Sequence, residues 1–111
     1  GKADLLLRAG DADAAVAVLR AAIAASGDAN ERQALGCDLL SIARERAFAV
    51  MRAGDVQGAL GVLDGVRAAM TARTVLVAWH LARVEVCKDG NDLLAHEREQ
   101  NRLYDYLEGK E

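Results

Sequence analysis

A chain of 111 residues with a net charge of −3 is long enough for one domain with a modest core, and its acidic balance argues against the basic surface that general nucleic-acid binding needs. Hydrophobic residues make up 52% of the sequence, aromatic residues only 4%, and proline is absent. We therefore expect a core of Ala, Leu and Val between unkinked helices. No run of 18 apolar residues and no charged leader before an apolar segment occurs, so we expect neither a membrane span nor a signal peptide.

Six helices are predicted in chain order, at about residues 2–9, 12–26, 29–53, 56–70, 73–88 and 92–108. Asp11 and Asp55 are the predicted N-caps of the second and fourth helices, and glycines stand at the breaks. The fifth helix is apolar almost all round, which predicts a position between neighbouring helices. Trp79 on that helix is therefore expected in the core rather than at a ligand platform.

The tetrapeptide Arg-Ala-Gly-Asp occurs twice, at residues 8–11 and 52–55. Apolar residues follow both copies in phase: Ala15 and Ala59, Val18 and Val62, Leu19 and Leu63. Gly90 begins a third such stretch, with Ala95 five positions on, although Glu99 stands where a bulky apolar residue is expected. The pattern predicts three antiparallel hairpins, at about residues 2–26, 29–70 and 73–108, which turn at Gly10, Gly54 and Gly90.

This pattern resembles the tetratricopeptide-repeat family, in which a small residue follows the turn glycine by five positions and a bulky apolar residue follows it by nine. The resemblance implies an all-α, right-handed superhelix that spans residues 1–111 as a single domain. The turn glycines are 44 and 36 residues apart, against the usual 34, and no proline ends the second helices. The longer spacing is similar to that of the extended arrays in bacterial regulators and peptide-sensing proteins. The Gly-Lys start fits either a tag remnant or a fragment of a longer protein.

The sequence offers little for catalysis. His80 and His96 are the only histidines, and HExxH, GxSxG and P-loop motifs do not occur. His80 and Cys87 are two helical turns apart, about 10 Å along the axis, which is too far to share a metal ion. We predict no enzyme activity, no metal and no cofactor. Cys37 and Cys87 lack a CxxC spacing and are predicted to be buried thiols in a reducing, cytoplasmic setting, with a disulfide as the alternative.

The resemblance also implies a function, because in such arrays the first helix of each hairpin lines a concave groove. The candidate groove residues are Arg44, Arg46, Arg73, His80 and Arg83. Several arginines would suit an acidic or carboxylate-ended peptide, whereas the alternative is a merely solvated helix face. The expected function is a protein–protein interaction module that binds a partner peptide or helix, as a scaffold, a chaperone or the sensory segment of a bacterial regulator.

The alternative function is structural: a helical bundle that forms a homodimer without a peptide ligand. Gly58, Gly61 and Gly65 fall on one side of the fourth helix and predict close packing, either with the third helix or with a partner. Leu103, Tyr104 and Leu107 form an apolar stripe on the last helix. That stripe predicts a cap for the array, a docking surface or a connection to a further domain.

Overall fold

The computed structural model describes residues 2–110 and contains six α-helices. They are α1 (Lys2–Arg8), α2 (Ala12–Ala25), α3 (Ala29–Arg52), α4 (Val56–Asp64), α5 (Arg73–Asp89) and α6 (Leu93–Leu107), with a 3-10 turn (Arg67–Ala69) between α4 and α5. No strand occurs among these residues, so the predicted all-α class is confirmed. None of the helices in residues 2–110 is long and apolar enough to cross a lipid bilayer.

Four helices begin at an aspartate whose side chain caps the helix. The carboxylates of Asp11, Asp55 and Asp92 each accept a hydrogen bond from the backbone N–H three residues on, at 3.0, 2.7 and 3.1 Å, and Asp28 caps α3 in the same manner. Each cap gives a partner to a backbone N–H of the first turn that has no acceptor within the helix. Such a cap stabilises the protein by about 1 kcal/mol. The two predicted caps, Asp11 and Asp55, are confirmed.

The first two turns place a glycine in the left-handed region, with φ of +80° at Gly10 and +95° at Gly54. The third turn differs from the prediction, because Asn91 takes the left-handed conformation at φ 58° while Gly90 has φ −78°. Gly90 serves close packing instead. A Cβ there would overlap Cγ2 of Val56 and lie 3.0 Å from the carbonyl oxygen of Val86.

The fourth helix is shorter than predicted. It ends at Asp64 rather than near residue 70, and the chain continues through the 3-10 turn. Glycines weaken the end of this helix, and the guanidinium of Arg20 on α2 donates to the carbonyl oxygen of Gly65 just beyond it. The change of direction lets Val66 and Met70 both point into the core.

Helices that follow one another in the chain pack together, and α3 also contacts α5. The fifth helix therefore lies against α3, α4 and α6, as predicted. Trp79 on α5 is completely buried, and its indole Nε1 donates to the carbonyl oxygen of Leu63 at 2.7 Å, which confirms the prediction that it belongs to the core. The described residues form a flat body of 39 × 34 × 14 Å. The repeat type and the hand of a superhelix stay predictions.

Candidate functional site

A groove of about 570 Å³ lies between α1 and α3, with residues of α2 completing its lining. Its apolar lining includes Leu7, Leu19, Ile42 and Ala49. Leu19 and Ile42 also belong to the core, whereas Leu7 is 40% exposed. We call this surface the α1–α3 groove. It offers apolar contacts that open directly to solvent.

Carboxylates dominate the charge of the α1–α3 groove. Asp4, Asp38 and Glu45 line it, against a single cation, Arg46. The charge of Arg46 is already paired, since its Nη2 lies 2.6 Å from Oδ1 of Asp13. Among residues 2–110, neither Asp38 nor Glu45 forms a hydrogen bond or an ion pair through its side chain. The groove is therefore an apolar surface beside unneutralised negative charge.

The arginines predicted to line a common groove do not converge. Only Arg46 lines the α1–α3 groove. Arg44 lies 2.5 Å from the carboxylate of Glu85 on α5, with its guanidinium over the ring of Phe48. Arg73, at the start of α5, donates to the carbonyl oxygen of Leu107 at the end of α6 at 3.4 Å.

The prediction that His80 and Arg83 are groove residues is wrong, because their side chains lie inside the protein. His80 is 0% exposed and Arg83 is 5% exposed. The imidazole ring of His80 packs between the rings of Trp79 and Tyr106, with centroids 4.9 and 4.8 Å away. The side chain of His80 thus faces Tyr106 of α6, and that of Arg83 faces α4 and α6 rather than solvent.

Arg83 is the centre of a buried polar cluster. Its Nε and Nη2 donate to both carboxylate oxygens of Glu99 at 2.9 Å, and its Nη1 donates to the carbonyl oxygen of Leu60 at 3.3 Å and to the carboxylate of Asp64. Burial by itself lowers the pKa of Arg83, but the hydrogen bonds and charges of Glu99 and Asp64 outweigh it and raise the pKa overall. The cluster joins α4, α5 and α6 through a charge that stays protonated.

This cluster explains the unexpected Glu99. Counted from Gly54 and Gly90, Arg83 and Glu99 stand where Ala47 and Leu63 stand in the preceding pair of helices. All four side chains are buried. An alanine–leucine pair in one pair of helices is thus replaced by an ion pair in the next, which gives the cluster a structural role.

The two cysteines have different surroundings. Cys87 is buried as predicted, and burial, helped by the charges of Glu99 and Asp92, raises the pKa of its thiol to about 11. The prediction that Cys37 is buried is wrong, since it lies on a face of α3 that is turned to solvent. Both thiols are free, so the alternative of a disulfide between them is not realised. Within the described part of the chain, no group of three or more potential ligands could hold a metal ion.

The glycines of α4 do not form a packing seam against α3. A Cβ at Gly61 would meet nothing within 4 Å, and Gly61 and Gly65 are both exposed. Gly58 lies beside the cap carboxylate of Asp55 instead. The buried side of α4 carries the larger residues Ala59, Leu60 and Leu63. Packing against α3 therefore does not explain Gly61, whereas Gly58 leaves room for the cap carboxylate of Asp55.

The last helix exposes a different apolar set from the predicted stripe. Leu103 is buried and so is not part of an exposed docking surface, while Tyr104 and Leu107 are 55% and 44% exposed. Leu93 and Leu94 at the start of α6 are 74% and 71% exposed. At 3.6 residues per turn, positions 93, 104 and 107 share one side of the helix, with 94 next to it. We call Leu93, Leu94, Tyr104 and Leu107 the α6 apolar face.

The acidic residues of the α1–α3 groove were not predicted from the sequence. Asp38, Glu45 and Ala49 follow one another at intervals of seven and four on α3, which places them on one side of that helix. That spacing was a usable signal.

No family model, no curated protein and no solved structure matches this chain. The resemblance to tetratricopeptide repeats consequently rests on the repeated turn sequence alone.

Proposed function

We propose that this chain is a protein-interaction module that binds a partner segment rich in apolar and basic residues in the α1–α3 groove. One observation carries the proposal: the unpaired carboxylates of Asp38 and Glu45 lie in the same groove as the apolar side chains of Leu7 and Ile42. Such a surface favours binding of a segment in which leucine-like side chains stand close to lysine or arginine side chains.

The size of the groove limits what it can hold. About 570 Å³ lies within the range of ordinary ligand pockets, so it accommodates a few side chains rather than a whole domain. One face of an amphipathic helix or a short extended segment meets that limit. Apolar anchors would supply most of the affinity, and the carboxylates would set orientation and speed association. Because the lining is acidic, the proposed partner is basic, in contrast to the acidic partner expected from the arginines.

Peptide titration followed by NMR tests the proposal. The probe is an acetylated 14-residue peptide with leucine and lysine at amphipathic helical spacing, added to the ¹⁵N-labelled chain. We expect amide shifts in α1 and in residues 38–49. Replacing both carboxylates, Asp38→Asn with Glu45→Gln, should weaken binding by about tenfold or more, equivalent to about 1.4 kcal/mol.

The matched control is Glu97→Gln with Asp105→Asn, which removes two exposed carboxylates from α6 and gives the same net charge. This variant should bind like the unaltered chain. Equal weakening by both double variants would mean general attraction to an acidic protein and would refute the groove. Shifts spread over all six helices would refute it as well.

A second candidate function is self-association through the α6 apolar face. Its support is the exposure of four large apolar side chains on one helix, since packing of two copies would remove this apolar surface from water. It is the structural alternative to peptide binding, and the oligomeric state in solution separates the two.

A further inference from the structure

A second groove of about 560 Å³ lies at a different place, where the second half of α2, the start of α3 and the 3-10 turn meet. It is lined by Arg20, Ile23, Ala24, Arg32, Ala69 and Thr71, among others. We call it the α2–turn groove. None of these residues lines the α1–α3 groove.

The α2–turn groove contains two cations and no carboxylate. Arg20 donates to the carbonyl oxygen of Gly65, and Nη1 of Arg32 donates to the carbonyl oxygen of Ser26 at 3.1 Å. Both acceptors are neutral, and neither arginine forms an ion pair with another residue of the described chain. A guanidinium has five N–H donors, so each side chain keeps donors and a full positive charge for a ligand.

Three other arginines of the described chain are already paired with carboxylates. The guanidiniums of Arg44, Arg46 and Arg83 each meet a carboxylate within the protein. The carbonyl contacts of Arg20 and Arg32 also restrain their side chains, so a ligand would meet two partly ordered cations. Part of the entropy cost of ordering these side chains is then already met in the free protein.

The apolar residues of the α2–turn groove favour an anionic ligand that also carries an apolar group. Ile23 is buried, and Ala24 and Ala69 leave room for a small side chain beside it. A bare phosphate would make no use of this surface, and the net charge of −3 disfavours a nucleic-acid backbone. A carboxylate attached to a peptide uses both parts of the groove, because arginine pairs well with carboxylates.

We propose that the α2–turn groove binds an acidic peptide segment, with ligand carboxylates on Arg20 and Arg32 and a small apolar side chain against Ile23. This proposal depends on residues other than those of the basic-partner groove, so either one can fail alone. If both hold, the chain binds two segments of opposite charge at separate places.

NMR titration with a defined pair of peptides tests this site. The probe is an acetylated hexapeptide of alternating leucine and aspartate, and its counterpart carries asparagine in place of each aspartate. We expect the aspartate peptide to shift the amides of residues 20–24 and 68–71 at low salt. The asparagine peptide should bind at least about tenfold more weakly, since it lacks the charge. High salt should weaken the first peptide and leave the second unchanged.

Substitutions give the second arm of the experiment. Arg20→Gln with Arg32→Gln should reduce the affinity for the aspartate peptide by about tenfold or more, whereas Arg52→Gln with Arg98→Gln, two exposed arginines elsewhere, should not. Arg20→Lys with Arg32→Lys keeps the charge and should retain most of the binding. Thermal unfolding of every variant separates loss of ligand from loss of fold, and the comparison of the two peptides needs no variant.

Three results would overturn the proposal. The first is equal binding of the two peptides. The second is a folded glutamine double variant that still binds the aspartate peptide normally. The third is that inorganic phosphate shifts the same amides while the aspartate peptide does not. That result would identify a site for small inorganic anions instead of a peptide site.

Discussion

The guanidinium of Arg83 is held by acceptors from α4 and α6 while its own helix is α5. Taking two charges out of water costs several kcal/mol, and the ion pair with Glu99 must offset that cost. Removal of Arg83 leaves Glu99 charged and buried, and removal of Glu99 leaves Arg83 with Asp64, which is 57% exposed, as its remaining carboxylate. Replacement of both by apolar residues of fitting size, in contrast, is often neutral.

A double-mutant cycle at Arg83 and Glu99 follows from this. Arg83→Ala alone and Glu99→Leu alone should each lower the free energy of unfolding by about 3 kcal/mol. The double variant installs the residue types of Ala47 and Leu63, so it should recover most of that loss. Urea unfolding measures all four proteins, and we expect a coupling energy of about 3 kcal/mol or more.

The control for this cycle is the surface pair of Arg44 and Glu85, whose side chains are 48% and 46% exposed. Alanine at either position should cost less than about 1 kcal/mol. If the two substitutions at Arg83 and Glu99 were simply additive, the buried pair would have no special energetic role, and the explanation given for Glu99 would be wrong.

The sequence could not reveal that Arg83 points inward. A polar stripe on an apolar helix looks the same whether it meets solvent or a buried partner, and the partner Glu99 belongs to another helix. The conspicuous signal was Glu99 itself, a carboxylate at a position that elsewhere holds leucine. A buried carboxylate needs a cation beside it, and Arg83 occupies the position that corresponds to the buried Ala47.

At the scale of helices, local chemistry made most boundaries predictable. Five of the six predicted ranges agree with the structure to within one residue at each end, because aspartate caps and left-handed glycines are decided by neighbours in the sequence. The end of α4 was missed for the opposite reason. Beside the local glycines, the contact of Arg20 from another helix and the burial of Val66 and Met70 accompany this end, and neither of these can be read from neighbouring residues.

The first helix is the least supported element of the described chain. It has seven residues and none of them is buried, so it is held by partly buried residues such as Ala3 and Leu6 that pack on the core. Short helices are marginal without tertiary packing, and segments with few buried contacts open at low free energy. We therefore expect α1, which forms one wall of the α1–α3 groove, to unfold locally more often than α3, which forms the other.

Hydrogen exchange tests this expectation. The amides of residues 6–11 should exchange at least about tenfold faster than those in the middle of α3, where Leu39, Ala43 and Ala47 are buried. The leucine–lysine peptide should slow exchange in residues 6–11 because α1 contributes to its groove. Exchange in α6 serves as the control and should not respond. Equal protection of α1 and α3 in the free chain would contradict the expectation.

At the scale of the whole molecule, the charge pattern depends on packing. Arg20 and Arg32 are twelve positions apart on two helices, and Asp4 and Asp38 are still further apart, yet each pair lines one groove. The repeated turn predicted the helical class, and the resemblance predicted an interaction module. The side chains that share a groove follow from how α1, α2 and α3 are placed, which neither periodicity nor composition specifies.

The oligomeric state in solution depends on whether the α6 apolar face packs against a second copy of the chain. A stable dimer usually buries about 800 Å² on each partner, and four exposed side chains on one helix supply only part of that area. We therefore expect weak self-association: a monomer in dilute solution and a growing fraction of dimer on concentration, measured by light scattering after size exclusion.

Leu93→Glu with Leu107→Glu should keep the chain monomeric throughout, whereas Leu5→Glu, at an exposed leucine of α1, should change nothing. A dimer that persists on dilution would favour the structural function over peptide binding. A monomer at every concentration would remove that alternative.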